Sequence, residues 1–383
     1  MRIAYLLVDP GIGVFGTKGA SVHVQEMIRA LRTEGHEIVV FCTRADDHVP
    51  ADLADLDVRR TPLARTDSLS QREAAITAAA ARIAEDAARE RFDLIYERYS
   101  LFSDAGARLT RHHGPSQGAP LILEVNAPLL VEQQRHRGLH DVAAAQAATT
   151  AQFTAAGLIS CVSDAVAEWT VAQGAAPSRV SVLPNGVNTT RIHPRKTVVR
   201  PSDSVTVGFV GTLKPWHGTE ILLEAIARAT GELDLLICGT GPEQPALAAQ
   251  ATRLGTQDRV RFLGAVAPDE VPAVLHEIDI AVAPYPPGDH YFSPLKVYEY
   301  MAAGLPIVAS EIGGIPDQLG GGRYGVLVPP GDVASLAEAL DDLASDPARR
   351  SQLGAAARSV AEAEHDWRAR AGVLLHALGG TDR

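Results

Sequence analysis

The chain carries 35 basic residues, yet only four of them are lysines: Lys18, Lys196, Lys214 and Lys296. Arginine fills every other basic position, so a lysine that remains is a candidate for work that a compact ammonium does better than a planar guanidinium. Basic charge is itself in deficit, with 46 acidic residues giving a net charge of −11. That excludes a nucleic-acid surface built on long-range attraction, and any cationic pocket has to be local. Cysteine is scarce too. Cys42, Cys161 and Cys238 each end an apolar run (IVVFC, LISCV, LLIC) and read as small core residues. They exclude a disulfide or thiolate framework and suit a reducing, cytoplasmic compartment. No stretch of about 18 apolar residues offers itself to a bilayer. The opening run IAYLLV lacks the length and cleavage site of a signal peptide.

What is present is a repeated alternation of apolar runs and amphipathic stretches. A chain of 383 residues fits two domains of about 190 residues each. Strands are predicted at 3–8, 37–42, 93–97, 120–125, 157–162 and 180–183, and again at 205–210, 233–238, 260–263 and 278–283. Helical patterns separate them, which implies parallel sheets with right-handed crossovers. The expected fold class is therefore α/β, with two doubly wound, Rossmann-like parallel-sheet domains facing across a cleft. The expected boundaries are 1–190 and 191–364. A linker is read over 188–204, around Pro194 and Pro201, and a last helix around Trp367 (about 365–383) is expected to pack back onto the first domain. Ligands of such sheets bind beyond the carboxyl ends of the strands, so the cleft is the expected site.

The segment YFSPLKVYEYMAAGLPIVAS concentrates the chemistry. Ser293 and Pro294 form a corner at which a helix can start, and Gly304 with Pro306 ends it after Ala303. The free N–H groups and dipole of such a start favour an anion by ~0.3–2 kcal/mol. Lys296 and Glu299 are three apart and share a face, so phosphate would meet the ammonium and a ribose diol the carboxylate. A surface Lys–Glu pair on an ordinary helix is the alternative.

Four loops after strands add to this. In DPGIGVFGTKGASVH, Gly11, Gly13 and Gly16 match G-x-G-x-x-G, but Thr17, Lys18 and Gly19 intervene before the helical pattern at Ala20. The second strand also ends Cys42-Thr43-Arg44, with no acid for a ribose, so a flexible glycine loop is favoured over a nicotinamide site. In GFVGTLKPWHG, Lys214 and His217 can supply charge to a phosphate; the alternative is a solvated loop with Trp216 as its core anchor. CGTGPE lets a flat base approach the backbone, and RFLGAV closes its strand in the same way.

In this order the motifs G-T-L-K-P-W-H-G, C-G-T-G-P, F-L-G-A-V, S-P-L-K-V-Y-E-Y-M-A-A-G and P-I-V-A-S resemble the nucleotide-sugar domain of family 4 glycosyltransferases of the GT-B fold. G-H-E-I-V-V, V-S-D-A-V and L-P-N-G-V-N extend the likeness through the first half, so it covers nearly the whole chain. The resemblance implies retaining, metal-independent transfer of a hexose-type sugar from a UDP- or GDP-sugar to an unidentified small-molecule, glycan or lipid acceptor. No cofactor beyond the donor is implied. Glu299 would hold the ribose, the N–H groups of Leu295 and Lys296 the diphosphate, and Gly239, Gly241, Pro242 and Val266 the base, with Gly19 against the diphosphate. Three departures from the family pattern involve four positions. Tyr291 stands where a glutamate meets the donor sugar, Thr212 and His217 stand where an arginine and a lysine flank the β-phosphate, and Asn126 stands where a histidine lies near the anomeric carbon. Lys214, Lys296 and Asn126 are thus the candidate catalytic groups. Asp46-Asp47 and Asp341-Asp342 read as loop and helix-surface pairs rather than metal ligands. An epimerase, a nicotinamide-dependent oxidoreductase and a silent nucleotide-sugar-binding protein stay open as alternatives. The stretch Asn126–Arg137 is a candidate wall for a polar or anionic acceptor.

Overall fold

Strands that are apolar at every position have to be covered on both faces, and Ile3 to Leu7 are all fully buried in the computed structural model of the protein. The structure describes residues 1–112, 116–136, 138–195 and 204–380, and every count below is of those. Most of the expected linker, 196–203, lies outside them, as do Lys196, Arg137 and the last three residues.

The chain divides into two units. The first runs from Met1 to Pro184 and takes back the helix Trp367–Gly380; the second is Asn185–Asp366. The first crossing thus falls before position 190.

In unit one, β1 (Arg2–Leu7), β2 (Glu37–Cys42), β3 (Asp57–Arg60), β4 (Leu94–Arg98), β5 (Leu121–Val125), β6 (Leu158–Cys161) and β7 (Val180–Val182) form one parallel sheet in the order β3-β2-β1-β4-β5-β6-β7. Unit two pairs β8 (Val205–Val210), β9 (Leu233–Cys238), β10 (Val260–Gly264), β11 (Ile280–Ala283), β12 (Ile307–Ser310) and β13 (Val326–Val328) in the order β10-β9-β8-β11-β12-β13. Both orders reverse beside the first strand of their unit, which makes each a doubly wound, Rossmann-like α/β sheet. β3 was not foreseen because DVRR is charged and half-exposed, with none of the apolar periodicity that marks the other strands. No helix among the described residues is long and apolar enough to cross a membrane, and all three cysteines are buried and unpaired.

Three local readings are corrected. The glycine loop after β1 is clamped rather than flexible. The Val14 and Phe15 amides donate to the Arg44 and Ala45 carbonyls at 3.2 and 2.8 Å, and the Gln25 side-chain amide donates to the Val14 and Gly16 carbonyls. A Cβ at Gly13 would lie 1.7 Å from an Asp46 carboxylate oxygen, so this glycine serves close packing. Trp216 is no core anchor, since 51% of it is exposed. Asp341 is also more than a surface acid, because its carboxylate accepts from the Thr230 and Gly231 amides.

Candidate functional site

Because β8 to β11 run parallel, their carboxyl ends share one edge of the unit-two sheet, and the loops leaving them are laced together there. The Gly211 amide donates to the Cys238 carbonyl at 2.9 Å, Leu213 to Thr240 at 3.0 Å and Gly239 to Gly264 at 2.8 Å. Contact this close requires glycine. Gly239 has φ +135°, and a Cβ there would lie 1.9 Å from the Gly211 carbonyl oxygen; one at Gly241 would lie 2.1 Å from that of Leu213. Pro242 is exposed beside them, and Val266, just past β10, is half-buried against the core.

The helix Leu295–Ala302 starts at Pro294 with no side chain capping it, so its first N–H groups, those of Leu295 and Lys296, have no partner within the helix. Lys296 follows at 8% exposure, buried rather than on the surface. Its Nζ finds no hydrogen-bond partner and lies 3.9 Å from the Phe209 ring centroid and 5.3 Å from that of Tyr285. Gly211 roofs it, since a Cβ there would lie 2.9 Å from Nζ. Burial lowers the Lys296 pKa to about 7, against the pull of Glu299, which raises it. The alternative of a surface Lys–Glu pair is therefore not met: the amine is buried and the carboxylate half-buried.

His217 does not supply charge, contrary to expectation. Burial, followed by the charge of Lys296, lowers its pKa to about 3. Its Nδ1 bonds the Thr212 carbonyl, which fixes the proton on that nitrogen and ties the β8 loop back on itself. Thr212 itself is exposed. Lys214 is half-buried, with Nζ 5.7 Å from the Trp216 ring centroid. Ser293 faces inward; its hydroxyl accepts from the Asn185 amide at 3.1 Å and its carbonyl from the Asn185 side chain at 2.6 Å, so it braces the corner before the helix. Tyr291 is half-buried, 6.4 Å ring to ring from Phe292, in an aromatic group that includes Tyr285 and His290.

The two unit-one candidates lie on the carboxyl edge of their own sheet. Gly19 is the exposed first residue of the helix Gly19–Thr33, which likewise starts without a side-chain cap. Asn126 follows β5, and its Nδ2 donates to Glu124. The structure thus gathers Lys214, Lys296, His217, Glu299 and the glycines of unit two, and separately places Gly19 and Asn126 in unit one. Sequence reasoning missed Phe209, Tyr285, His23 and Glu124. A glutamate inside the otherwise apolar strand LILEV was the one signal available.

Two such Rossmann-like units, each with its loops at the carboxyl ends of a parallel sheet, define the GT-B class of fold. The family described as "Glycosyltransferase Family 4" matches residues 17–191, and "Glycosyl transferases group 1" matches residues 204–346. Over these two stretches, which together span most of its length, the chain is similar to family 4 glycosyltransferases. It is 32% identical over 214 residues to the glycogen synthase of Mycobacterium tuberculosis, a match spanning 55% of this chain and about half the length of that relative. Over 99% of the chain and 94% of the relative it is 27% identical to the D-inositol 3-phosphate glycosyltransferase of Corynebacterium diphtheriae. Among solved structures, Anabaena HepE in complex with UDP and glucose superposes with a TM-score of 0.75 at 22% identity, over 99% of this chain and 100% of that one. That likeness concerns the fold.

Proposed function

We propose that the chain transfers a hexose-type sugar from a nucleoside diphosphate sugar, UDP- or GDP-linked, to a hydroxyl of an acceptor, with retention of anomeric configuration and without a metal. The carrying observation is Lys296: a buried amine with no partner, set at an uncapped helix start beneath the glycine loop at Gly211. An amine so desolvated gains most when an anion arrives, because a nearby negative charge favours its protonated form. A diphosphate would be bound by Lys296, the Leu295 and Lys296 amides and Lys214, while the Glu299 carboxylate accepts from the ribose hydroxyls. As the glycosidic bond breaks, negative charge gathers on the β-phosphate, where these groups stabilise it. His217 stays neutral and holds the Thr212 loop. The departing phosphate takes the proton of the attacking hydroxyl, so no protein base is called for. The UDP held by HepE supports uridine as the first base to try.

Calorimetric titration of the purified chain with UDP, GDP, UDP-glucose and GDP-mannose tests the reading. Micromolar binding of one base series is expected, with slow hydrolysis of the sugar nucleotide in the absence of acceptor and an α-sugar product by NMR. Binding of nicotinamide dinucleotides alone, or of no nucleotide, would overturn it.

A further inference from the structure

We infer that Glu124 is a positioning residue: it turns the Asn126 amide so that the carbonyl oxygen, not the NH2, meets the substrate, which makes Asn126 an acceptor for a sugar hydroxyl. This rests on the donor reading above and names what one of its groups recognises.

Glu124 lies within β5 at 3% exposure, and its carboxylate is surrounded by donors. His23 Nε2 approaches Oε2 at 2.9 Å, Arg98 Nη1 approaches Oε1 at 2.5 Å, and the Tyr96 hydroxyl and Asn126 Nδ2 complete the set. Burial pushes the Glu124 pKa up, but His23 and Arg98 outweigh it and hold the group below the usual carboxylate range. An ionised carboxylate only accepts hydrogen bonds, so the Asn126 atom that faces it has to be the NH2. The opposite orientation would set two acceptors against each other.

The donors are themselves fixed. Arg98 is 6% exposed and His23 4%, with the His23 ring edge-on to Trp367 at 4.7 Å. Tyr96 stacks on Tyr5 at 4.8 Å. Helix Gly19–Thr33 and strands β1, β4 and β5 thus all contribute to holding one carboxylate, and the carboxylate holds one amide. Asn126 is half-buried past the end of β5, and its Oδ1 has no partner among the described residues. A histidine in this place would offer a proton or a charge, whereas an asparagine held this way offers a fixed neutral acceptor. Its complement is a hydroxyl, of the transferred sugar or of the acceptor.

A double-mutant cycle on Glu124→Gln and Asn126→Ala tests this, using UDP-glucose or GDP-mannose as the donor series dictates. Each single variant should lower kcat for transfer about tenfold or more, as loss of one oriented hydrogen bond does. The affinity for the bare nucleoside diphosphate should stay within about twofold, and the double variant should be no worse than Asn126→Ala alone. Additive losses would overturn the inference while leaving the donor reading intact; failure of the wild type to bind any nucleoside diphosphate would overturn the donor reading instead. If Glu124→Gln does not fold, singly deoxygenated donor and acceptor analogues decide the matter. One deoxy analogue should slow the wild type but not Asn126→Ala, and its identity says whether the hydroxyl belongs to donor or acceptor. Equal slowing of both proteins by every analogue overturns the inference.

Discussion

The Lys296 ammonium nitrogen lies 3.9 Å from the centre of the Phe209 ring and has no hydrogen-bond partner among the described residues. The ring face offers partial compensation through its quadrupole, but an amine buried without an oxygen partner destabilises the free protein. Lys296→Met keeps the unbranched shape and removes the amine. It is expected to stabilise the unliganded chain by about 1–3 kcal/mol, seen as a rise in thermal midpoint, and to lower turnover about 100-fold or more. Stability exchanged for function in this way is typical of sites that bind charge. A lower midpoint, or turnover within about threefold of wild type, counts against the proposed role.

The same amine makes stability depend on pH, with a definite sign. Its pKa is about 7 when folded against 10.5 for a free lysine side chain, so between those limits the unfolded chain binds more protons than the folded one. Stability linked to Lys296 therefore rises with pH through that window and is at its lowest below it. Thermal midpoints of wild type and Lys296→Met should converge as pH is raised from about 7 to about 10. A gap that is constant or widens over that range would show that the lysine titrates normally.

Much of this site is legible in the sequence, because strand-end loops carry their chemistry as contiguous words. The helix predicted over Leu295–Ala303 is found at Leu295–Ala302, and the strands β2, β8 and β9 fall where the apolar periodicity put them. What could not be read was depth. Lys296 and Glu299 are three apart on any helix, but only packing against Phe209 and Tyr285 decides that the amine is desolvated. His217 reads as a cation by residue type and is neutral by environment. The Glu124 network joins residues about 100 positions apart, such as His23 and Glu124, a separation that no local pattern encodes.

Gly239 tests whether the loops form one unit. At φ +135°, with the Gly211 carbonyl oxygen 1.9 Å from where a Cβ would sit, an alanine would be strained by its backbone and displaced by contact. Gly239→Ala is expected to cost about 1–3 kcal/mol of stability. It should also weaken nucleotide binding, because the Gly211 loop that it pushes away also roofs Lys296. Gly255→Ala also has a positive φ but meets nothing within 4 Å, so it serves as the control and should lose stability without losing affinity. Equal effects of both substitutions on binding would deny the loops a shared role.

Glu299 is assigned two tasks that one pair of variants can separate. As the ribose ligand it should bind the nucleotide whatever sugar is attached, so Glu299→Ala should weaken UDP and UDP-glucose alike, by about 1.5–3 kcal/mol for each hydrogen bond lost to a charged group. As the neighbour that raises the Lys296 pKa, it also sets how far into alkaline pH the ammonium survives. Glu299→Gln keeps a hydrogen-bonding side chain but drops the charge, so the Lys296 pKa should fall further. A reaction that needs the protonated amine loses rate as pH rises through that pKa. The alkaline limb of kcat/KM should therefore move to lower pH in Glu299→Gln and be absent in Lys296→Met. If the limb stays in place when the Glu299 charge is removed, the amine and the carboxylate are not coupled during the reaction, and Glu299 acts on the ribose alone.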